Sequence, residues 1–404
     1  MIEKPFQIQL ENNQAYLSAQ KIATTLINNG HQAVIAGGAI RDLLLGKTPK
    51  DFDIATSAEP KEVLGCFKKT QKVGIAFGVV LVHDFGEAIE VATFRKDGEY
   101  QDGRRPESVE FCDAEQDAQR RDFTVNGLFY DFAKKTIIDY VGGLEDLENK
   151  TIRAIRNPRE RFEEDYLRMI RAIRFAVVLN FNIEPKTFEA IQENSEQITK
   201  IAADRIHVEL RKTFSKNCDM ALNLLDQSQL AKHLFPYTEK TSFDLNSYPV
   251  DGDFIACLAL YLTKFEDHKQ LNSVLQDLRC TNDEKRDIRN LLKFHKLFSQ
   301  FNCLKEHEQK KCIRSNPIQR SLYFASRIGV SQNEVSKIHD NSEKWDKKDL
   351  FPPHLPTGKE LIQRGLKPGP KMGNFLENLE NDLLDGKLKT QDEVNQVIEK
   401  QINS

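Results

Sequence analysis

Two patterns with chemistry of their own meet within residues 34–56. Val34-Ile35-Ala36 is a short apolar run that leads straight into Gly37-Gly38, with Arg41 close behind and Asp51-Phe52-Asp53 ten residues on. A helix starting at the glycines would offer free backbone N–H groups to an anion, phosphate above all. Glycine lets that backbone approach a ligand without a side chain in the way. If Asp51-Phe52-Asp53 is a strand, its side chains alternate, so the two carboxylates face one way and Phe52 the other. Paired carboxylates beside a phosphate cradle suit Mg²⁺, which takes few carboxylates and keeps its other positions for water and substrate phosphates. The combination points to metal-dependent phosphoryl or nucleotidyl transfer. The competing reading is a tight turn followed by an exposed acidic strand.

Other residues add to this pair. Glu90, in Ile89-Glu90-Val91-Ala92-Thr93, belongs to a strand pattern that could align beside the aspartates. There it would complete a metal site or help deprotonate an attacking hydroxyl; an ion pair with a nearby arginine is the alternative. The polar stretch 94–109 is charge-dense and carries two glycines, a composition expected of a mobile loop that closes over substrate, with a solvated linker as the competing reading. Arg120-Arg121-Asp122-Phe123-Thr124-Val125-Asn126 follows, with guanidinium forks that fit phosphate and ribose oxygens. Asp139 with Gly142-Gly143 offers a hinge.

The segment 164–175 reads as one helix on which Asp165, Arg168, Arg171 and Arg174 recur every three residues as a drifting stripe. Leu167, Ile170 and Ile173 form the apolar stripe that would anchor it. Over 149–175 there are eight Lys/Arg against four Asp/Glu in a chain of net charge −3. A salt-bridged surface helix is the plain reading of such a stripe, but its place directly after a nucleotide-type head favours ligand contact. A carboxylate only accepts hydrogen bonds and a guanidinium only donates. Asp165 beside Arg168 therefore suits a base edge with an exocyclic amine next to an unprotonated ring nitrogen, as in cytosine and adenine. Guanine and uracil would leave both groups mismatched and desolvated.

The elements that must carry these residues form two kinds of pattern. Strand signals at 33–36, 51–55, 71–75, 78–83, 88–94, 108–111 and 136–139 alternate with helical ones up to about residue 147. From 149 the pattern is helical, with Asn157-Pro158 and Glu160 marking a helix start and later stretches at 164–178, 186–194, 204–215 and 218–226. A break at 351–359 opens a tail with a charged helix at 374–385. The expected fold is α+β: a head with a mixed sheet at 1–148, then an elongated helical neck (149–215), body (216–345) and tail (346–404).

Composition narrows the class further. No apolar run approaches the ~18 residues of a membrane span. The first ten residues carry charge and amides where a signal peptide needs an apolar core. Seven dispersed cysteines without a C-x-x-C pair argue for reduced thiols in the cytoplasm and against a zinc site or disulfide framework. The glycines lack G-x-G-x-x-G spacing, which argues against a dinucleotide-binding oxidoreductase. Oligomeric state leaves no mark in the sequence.

With these residues in view, the chain resembles the class II tRNA nucleotidyltransferases, the bacterial family of CCA-adding enzymes and poly(A) polymerases. The resemblance is concentrated in 30–215, with a partial match at 355–376. Gly37-Gly38-Ala39-Ile40-Arg41-Asp42 and Asp51-Phe52-Asp53 are similar to the family's first motif. Arg120–Asn126 resembles the sugar- and nucleotide-contacting motif, Asp139–Gly143 the hinge motif and Asp165-Tyr166-Leu167-Arg168 the base-reading motif. The resemblance implies Mg²⁺ on Asp51 and Asp53, nucleotide binding by Gly38, Arg41, Arg121, Arg171 and Arg174, and a body and tail that hold the acceptor stem of tRNA. It implies addition of CCA, from CTP and ATP, to the 3′ end of tRNA. The full-length loop 94–109 weighs against a CC-only enzyme. The spellings at 126–131 and 139–143 are also at home in A-adding enzymes and poly(A) polymerases, which stand as the alternative, ahead of a catalytically silent RNA-binding module.

Overall fold

The computed structural model describes residues 1–97, 109–235, 252–263, 265 and 268–403. The chain divides into two compact units, Met1–Thr213 with Asn223–Pro236, and Phe214–Leu222 with Tyr237–Ser404. A mixed-sheet head is followed by a helical region, as expected of the α+β class. The return of 223–236 to the first unit has no counterpart in the boundaries expected from sequence.

The first unit starts with β1 (Ile2–Pro5), α1 (Gln14–Asn28), β2 (Ala33–Ala36), α2 (Gly38–Leu44), β3 (Asp53–Thr56) and α3 (Pro60–Cys66). Next come β4 (Thr70–Gly74), β5 (Val79–Val82), β6 (Ile89–Thr93), β7 (Arg95–Asp97) and β8 (Val109–Phe111). The head closes with α4 (Ala114–Gln119), β9 (Leu128–Asp131), β10 (Thr136–Asp139) and α5 (Gly143–Glu148). Eight strands form one sheet in the order β1-β10-β9-β2-β3-β6-β5-β4. All four residues of β2 are buried, because α1 covers the sheet with Ile22, Ala23 and Leu26 while Ala114 and Ala118 of α4 cluster with Val34, Ala36, Ala55 and Phe129. Burial on both faces is why this strand reads as a continuous apolar run.

Register decides where the carboxylates fall. β3 runs antiparallel to β2 with Asp53 opposite Ala36, and parallel to β6 with Ile54 opposite Val91. The strand expected from residue 51 begins at Asp53, so Asp51 lies before it. The ladder stops there because Gly37, just past Ala36, turns away with φ +74° and offers no further partner. Phe52 still points inward, 1% exposed and packed against Tyr16, while Asp51 and Asp53 are exposed. Of the stretch 94–109, β7 pairs with β8 as a two-stranded ribbon; the closing loop expected between them lies outside the described residues.

The neck comprises β11 (Thr151–Ile152), α6 (Pro158–Glu164), α7 (Leu167–Leu179), β12 (Asn182–Ile183), α8 (Pro185–Asn194) and α9 (Ala203–Thr213). The single helix expected over 164–178 is broken. Asp165 ends α6 with extended backbone (φ −150°, ψ 102°), and its carboxylate accepts the Leu167 N–H at 3.0 Å. Aspartate competes with the helical ladder by bonding nearby backbone N–H groups, and here that starts a new helix. Asp165 is therefore not on the helical stripe of Arg168, Arg171 and Arg174. α7 buries Ile170, Ile173, Ala176 and Val177, and its packing against α9 is extensive.

Helices α10 (Cys218–Gln227) and α11 (Leu230–Leu234) follow, then α12 (Phe254–Leu262), α13 (His268–Asp277), α14 (Asn282–Phe298), α15 (Glu306–Arg314), α16 (Ile318–Arg327), α17 (Gln332–Lys344) and α18 (Lys347–Leu350). The tail carries α19 (Gly358–Gln363), α20 (Pro370–Leu384) and α21 (Gln391–Ile402) around a small core of Leu361, Leu379, Leu383, Val394 and Ile398. One expectation about the thiols fails. The structure joins Cys218 and Cys257 as a disulfide, because the starts of α10 and α12 lie together, with Cα atoms 6.4 Å apart and the Asp253 N–H 3.2 Å from the Cys218 sulfur. Among the described residues, no helix is long and apolar enough to cross a membrane.

Candidate active site

Gly37 sits where the head turns from strand to helix, and its conformation is specific. It has φ +74°, and a Cβ there would lie 2.9 Å from Nη1 of Arg121. The glycine thus serves two needs at once, a left-handed backbone and room for a guanidinium. Arg121 lies over the Phe129 ring at 5.0 Å and pairs with the buried Asp117 at 3.0 Å. Burial alone would raise the Asp117 pKa, but the adjoining Arg121 and Arg120 guanidiniums hold it below the usual carboxylate value. In α2, Arg41 donates to Asn126 Oδ1 at 2.6 Å and pairs with Asp42 at 2.8 Å. The Asn126 amide donates onward to Asp122 at 2.9 Å.

The carboxylates gather at the strand ends. Asp53 precedes Ile54 on β3 as Glu90 precedes Val91 on the parallel β6, so the register sets the two side by side. Desolvation by the surrounding protein, then repulsion from Glu90 and Asp51, pushes the Asp53 pKa up to about 6, against the pull of Arg121. Like charges brought together without a full set of counter-ions are the arrangement that a bound cation relieves. Their donors are all oxygens, which suits a hard divalent ion.

The opposite wall is basic and closely paired. Arg168, 7% exposed, gives Nη1 to the Arg161 carbonyl at 2.8 Å and to Glu164 at 2.7 Å. Glu164 also takes Arg156 at 2.9 Å and the buried Arg161, whose other nitrogen donates to the carbonyls of Arg120 and Arg121. Arg161 therefore ties the Arg121 loop to the Arg168 corner. Asp165 is held by Arg205 of α9 at 2.8 Å. Arg171 bonds Asp122 at 2.5 Å, and Arg174 bonds the buried Glu209 of α9 at 2.5 Å. Burial would raise the Asp122 pKa, but Arg171 and the Asn126 amide hold it far below the usual carboxylate range. Arg41, Arg171 and Arg174 all approach the Phe175 ring, at 5.3, 5.4 and 4.0 Å. A ring quadrupole between like charges makes their closeness tolerable.

These elements enclose a cavity of about 530 Å³ lined by seven arginines and three aspartates, an excess suited to a polyanion such as a triphosphate. Of the residues expected from sequence, Gly37, Gly38, Arg41, Asp53, Arg121, Asn126, Asp165, Arg168, Arg171 and Arg174 line it; Asp51 and Glu90 do not. Sequence reasoning missed Asp122, Phe175 and Arg205 on the lining, and Arg161, Glu164 and Glu209 behind it. Asp122 was within reach, since it sits inside the arginine motif. Arg205 and Glu209 are spaced as an i, i+4 pair, but nothing local says which helix they face. Asp139, expected at a hinge, spends its carboxylate on the N–H groups of Val141, Gly142, Gly143 and Leu144, a fastened turn.

Comparison with known proteins agrees along the chain. Residues 33–153 match the poly A polymerase head domain, 180–241 the probable RNA- and SrmB-binding site of polymerase A, and 253–396 the putative tRNA nucleotidyltransferase domain 2. A CCA-adding enzyme of Ligilactobacillus salivarius is 37% identical over 383 residues, covering 90% of this chain and 91% of that protein. One from Lactococcus lactis subsp. cremoris is 33% identical, covering 93% and 94%. Among solved structures, the Bacillus stearothermophilus CCA-adding enzyme in complex with CTP aligns with a TM-score of 0.74 at 27% identity, over 96% of this chain and 98% of that one. The Thermotoga maritima CCA-adding enzyme complexed with tRNA shares the fold, with a TM-score of 0.71 at 21% identity over 99% and 100%.

Proposed function

This chain belongs to the family of CCA-adding enzymes, and we propose that it adds CCA, from CTP and ATP, to the 3′ end of tRNA without a nucleic-acid template, in the cytoplasm. The observation that carries this reading is the single cavity on which the phosphate-type glycines, Asp53, and the Asp165/Arg168 pair all open. In the reaction the terminal 3′ oxygen attacks the α-phosphorus of the nucleotide, the α–β phosphoanhydride bond breaks, and pyrophosphate leaves.

We assign the roles as follows. The Gly37-Gly38 backbone, Arg41 and Arg121 take the triphosphate, with Arg171 and Arg174 extending the cationic wall around the nucleotide. Asn126 fixes Arg41 by accepting its hydrogen bond. Asp51 and Asp53 would hold Mg²⁺, which when bound would lower the pKa of the 3′ hydroxyl and neutralise charge on the triphosphate. Glu90, beside Asp53, helps take the hydroxyl proton. Asp165 accepts from the exocyclic amine of cytosine or adenine while Arg168, through the nitrogens it does not spend on Glu164 and Arg161, donates to the neighbouring ring nitrogen. The division of labour gives nucleotide chemistry to 1–148 and 149–215, and the grip on the tRNA acceptor stem to 216–345 and 346–404.

The deciding experiment incubates the protein with Mg²⁺ and tRNA ending in the discriminator base, supplying CTP and ATP separately and together. Two C residues with CTP alone and CCA with both are the expected products. Extension only of tRNA already ending in CC, by a single A, would make it an A-adding enzyme. Long A tails on unrelated RNA would make it a poly(A) polymerase, and no incorporation at all would leave an RNA-binding module.

A further inference from the structure

Asp165 has a demanding task for a residue outside a helix. It must present a free acceptor site at a fixed place, yet its extended backbone gives the side chain no helical frame. An ionised carboxylate has about four acceptor sites. At Asp165 three contacts are made: Oδ1 accepts the Leu167 N–H at 3.0 Å and Arg205 Nη1 at 3.4 Å, and Oδ2 accepts Arg205 Nη2 at 2.8 Å. That leaves one site, on Oδ2, for a ligand. Arg205 comes from α9, forty residues away, and itself lines the cavity. Four residues further along α9, the buried Glu209 takes Arg174 at 2.5 Å and Arg171 at 3.5 Å. The helix thus presents one cation and one anion to the opposite charges around α7.

We propose that Arg205 is a positioning residue for base selection. It grips Asp165 with two nitrogens and leaves a single acceptor site aimed at the exocyclic amine of cytosine or adenine. This deepens the function proposed above and rests on its assignment of Asp165 as a base reader. Without Arg205 the carboxylate turns freely, and a carboxylate that turns can accept from the ring N–H of uracil or guanine as well. Such a group no longer rejects uracil or guanine.

The test measures kcat/KM for CTP, ATP, UTP and GTP with full-length protein carrying Arg205→Gln or Arg205→Lys, each alone and with Asp165→Ala. Inhibition by pyrophosphate reports the triphosphate region separately, and thermal melts report folding. Arg205→Gln should lower the preference for CTP over UTP and for ATP over GTP by about tenfold, with pyrophosphate inhibition unchanged. Arg205→Lys should recover part of the preference, since it restores charge without the two-pronged grip. In the Asp165→Ala background, Arg205→Gln should add nothing. If Arg205→Gln keeps full discrimination while Asp165→Ala loses it, Arg205 only ties α9 to α7 and the proposal is overturned. If Asp165→Ala also keeps it, the base-reading assignment itself falls. Should the Gln variant not fold, the Lys variant decides: discrimination equal to that of the unsubstituted enzyme overturns the proposal, and a partial loss supports it.

Discussion

The second unit holds a cavity of about 1090 Å³, twice the size of the one in the first unit. It lies among α14, α15 and α20 and is lined by four basic and three acidic side chains. Those charges largely neutralise one another: Arg314 meets Glu380 at 2.5 Å, and Lys311 reaches the same carboxylate at 3.2 Å. The smaller cavity has seven arginines to three aspartates, and one of those aspartates, Asp53, is repelled by Glu90 and Asp51 beside it. Size therefore does not mark the site. What marks it is the acidic side: carboxylates that repel one another beside a wall of paired arginines, a charge that is costly until a ligand of opposite sign arrives.

The contrast can be broken from several directions. The largest effect belongs to Asp53→Ala, which should reduce nucleotide addition roughly 10³-fold or more while tRNA retention on a filter stays close to normal. Retained turnover would mean that the acidic cluster is not the catalytic feature. Next, Arg168→Ala should narrow the kcat/KM advantage of CTP over UTP by about 10- to 100-fold; unchanged selectivity would assign base reading to another group.

A gentler probe uses pH and the metal together. Because the Asp53 carboxyl in the folded protein titrates near 6, above its ordinary value of 3.8, the folded state favours its protonated form. Without divalent ions, its contribution to stability is lost as pH rises from about 4 through 6. Mg²⁺ competes with that proton, so the rise in Tm on adding Mg²⁺ should be larger at pH 7.5 than at pH 5. An equal rise at both would separate the ion from Asp53. The smallest effect is expected at Lys293 in the larger cavity, where Lys293→Ala should leave KM for CTP within about twofold. A large change there would erase the distinction between the two regions.

The head was legible because its chemistry is local. Gly37, Gly38, Asp51 and Asp53 fall within one strand–turn–helix–strand segment, and the apolar run before them announces a strand buried on both faces. The neck was legible as helices and as composition, but not in its details. Its arginines stood out, but the helix break at Asp165 did not, since a capping aspartate and a helical one look alike until the backbone is seen. The partners of the stripe come from far along the chain: Arg171 meets Asp122, Arg174 meets Glu209, and Asp165 meets Arg205. Periodicity shows which face a helix presents and not what it faces. The Cys218–Cys257 link was hidden for the same reason, since two residues 39 apart in an unpatterned set give no pairing signal.

The break between α6 and α7 has one more effect, on mechanical compliance. Arg168 lies within α7, whose ladder bonds and buried Ile170 and Ile173 resist displacement. Asp165 has no ladder of its own, and what holds its carboxylate is the Leu167 N–H and Arg205 of α9. One jaw of the pair is braced by its own helix and the other by a neighbouring one. In the function proposed above, the gap that measures the base is therefore set by how α9 packs on α7, and a change in that packing would reset it without moving Arg168.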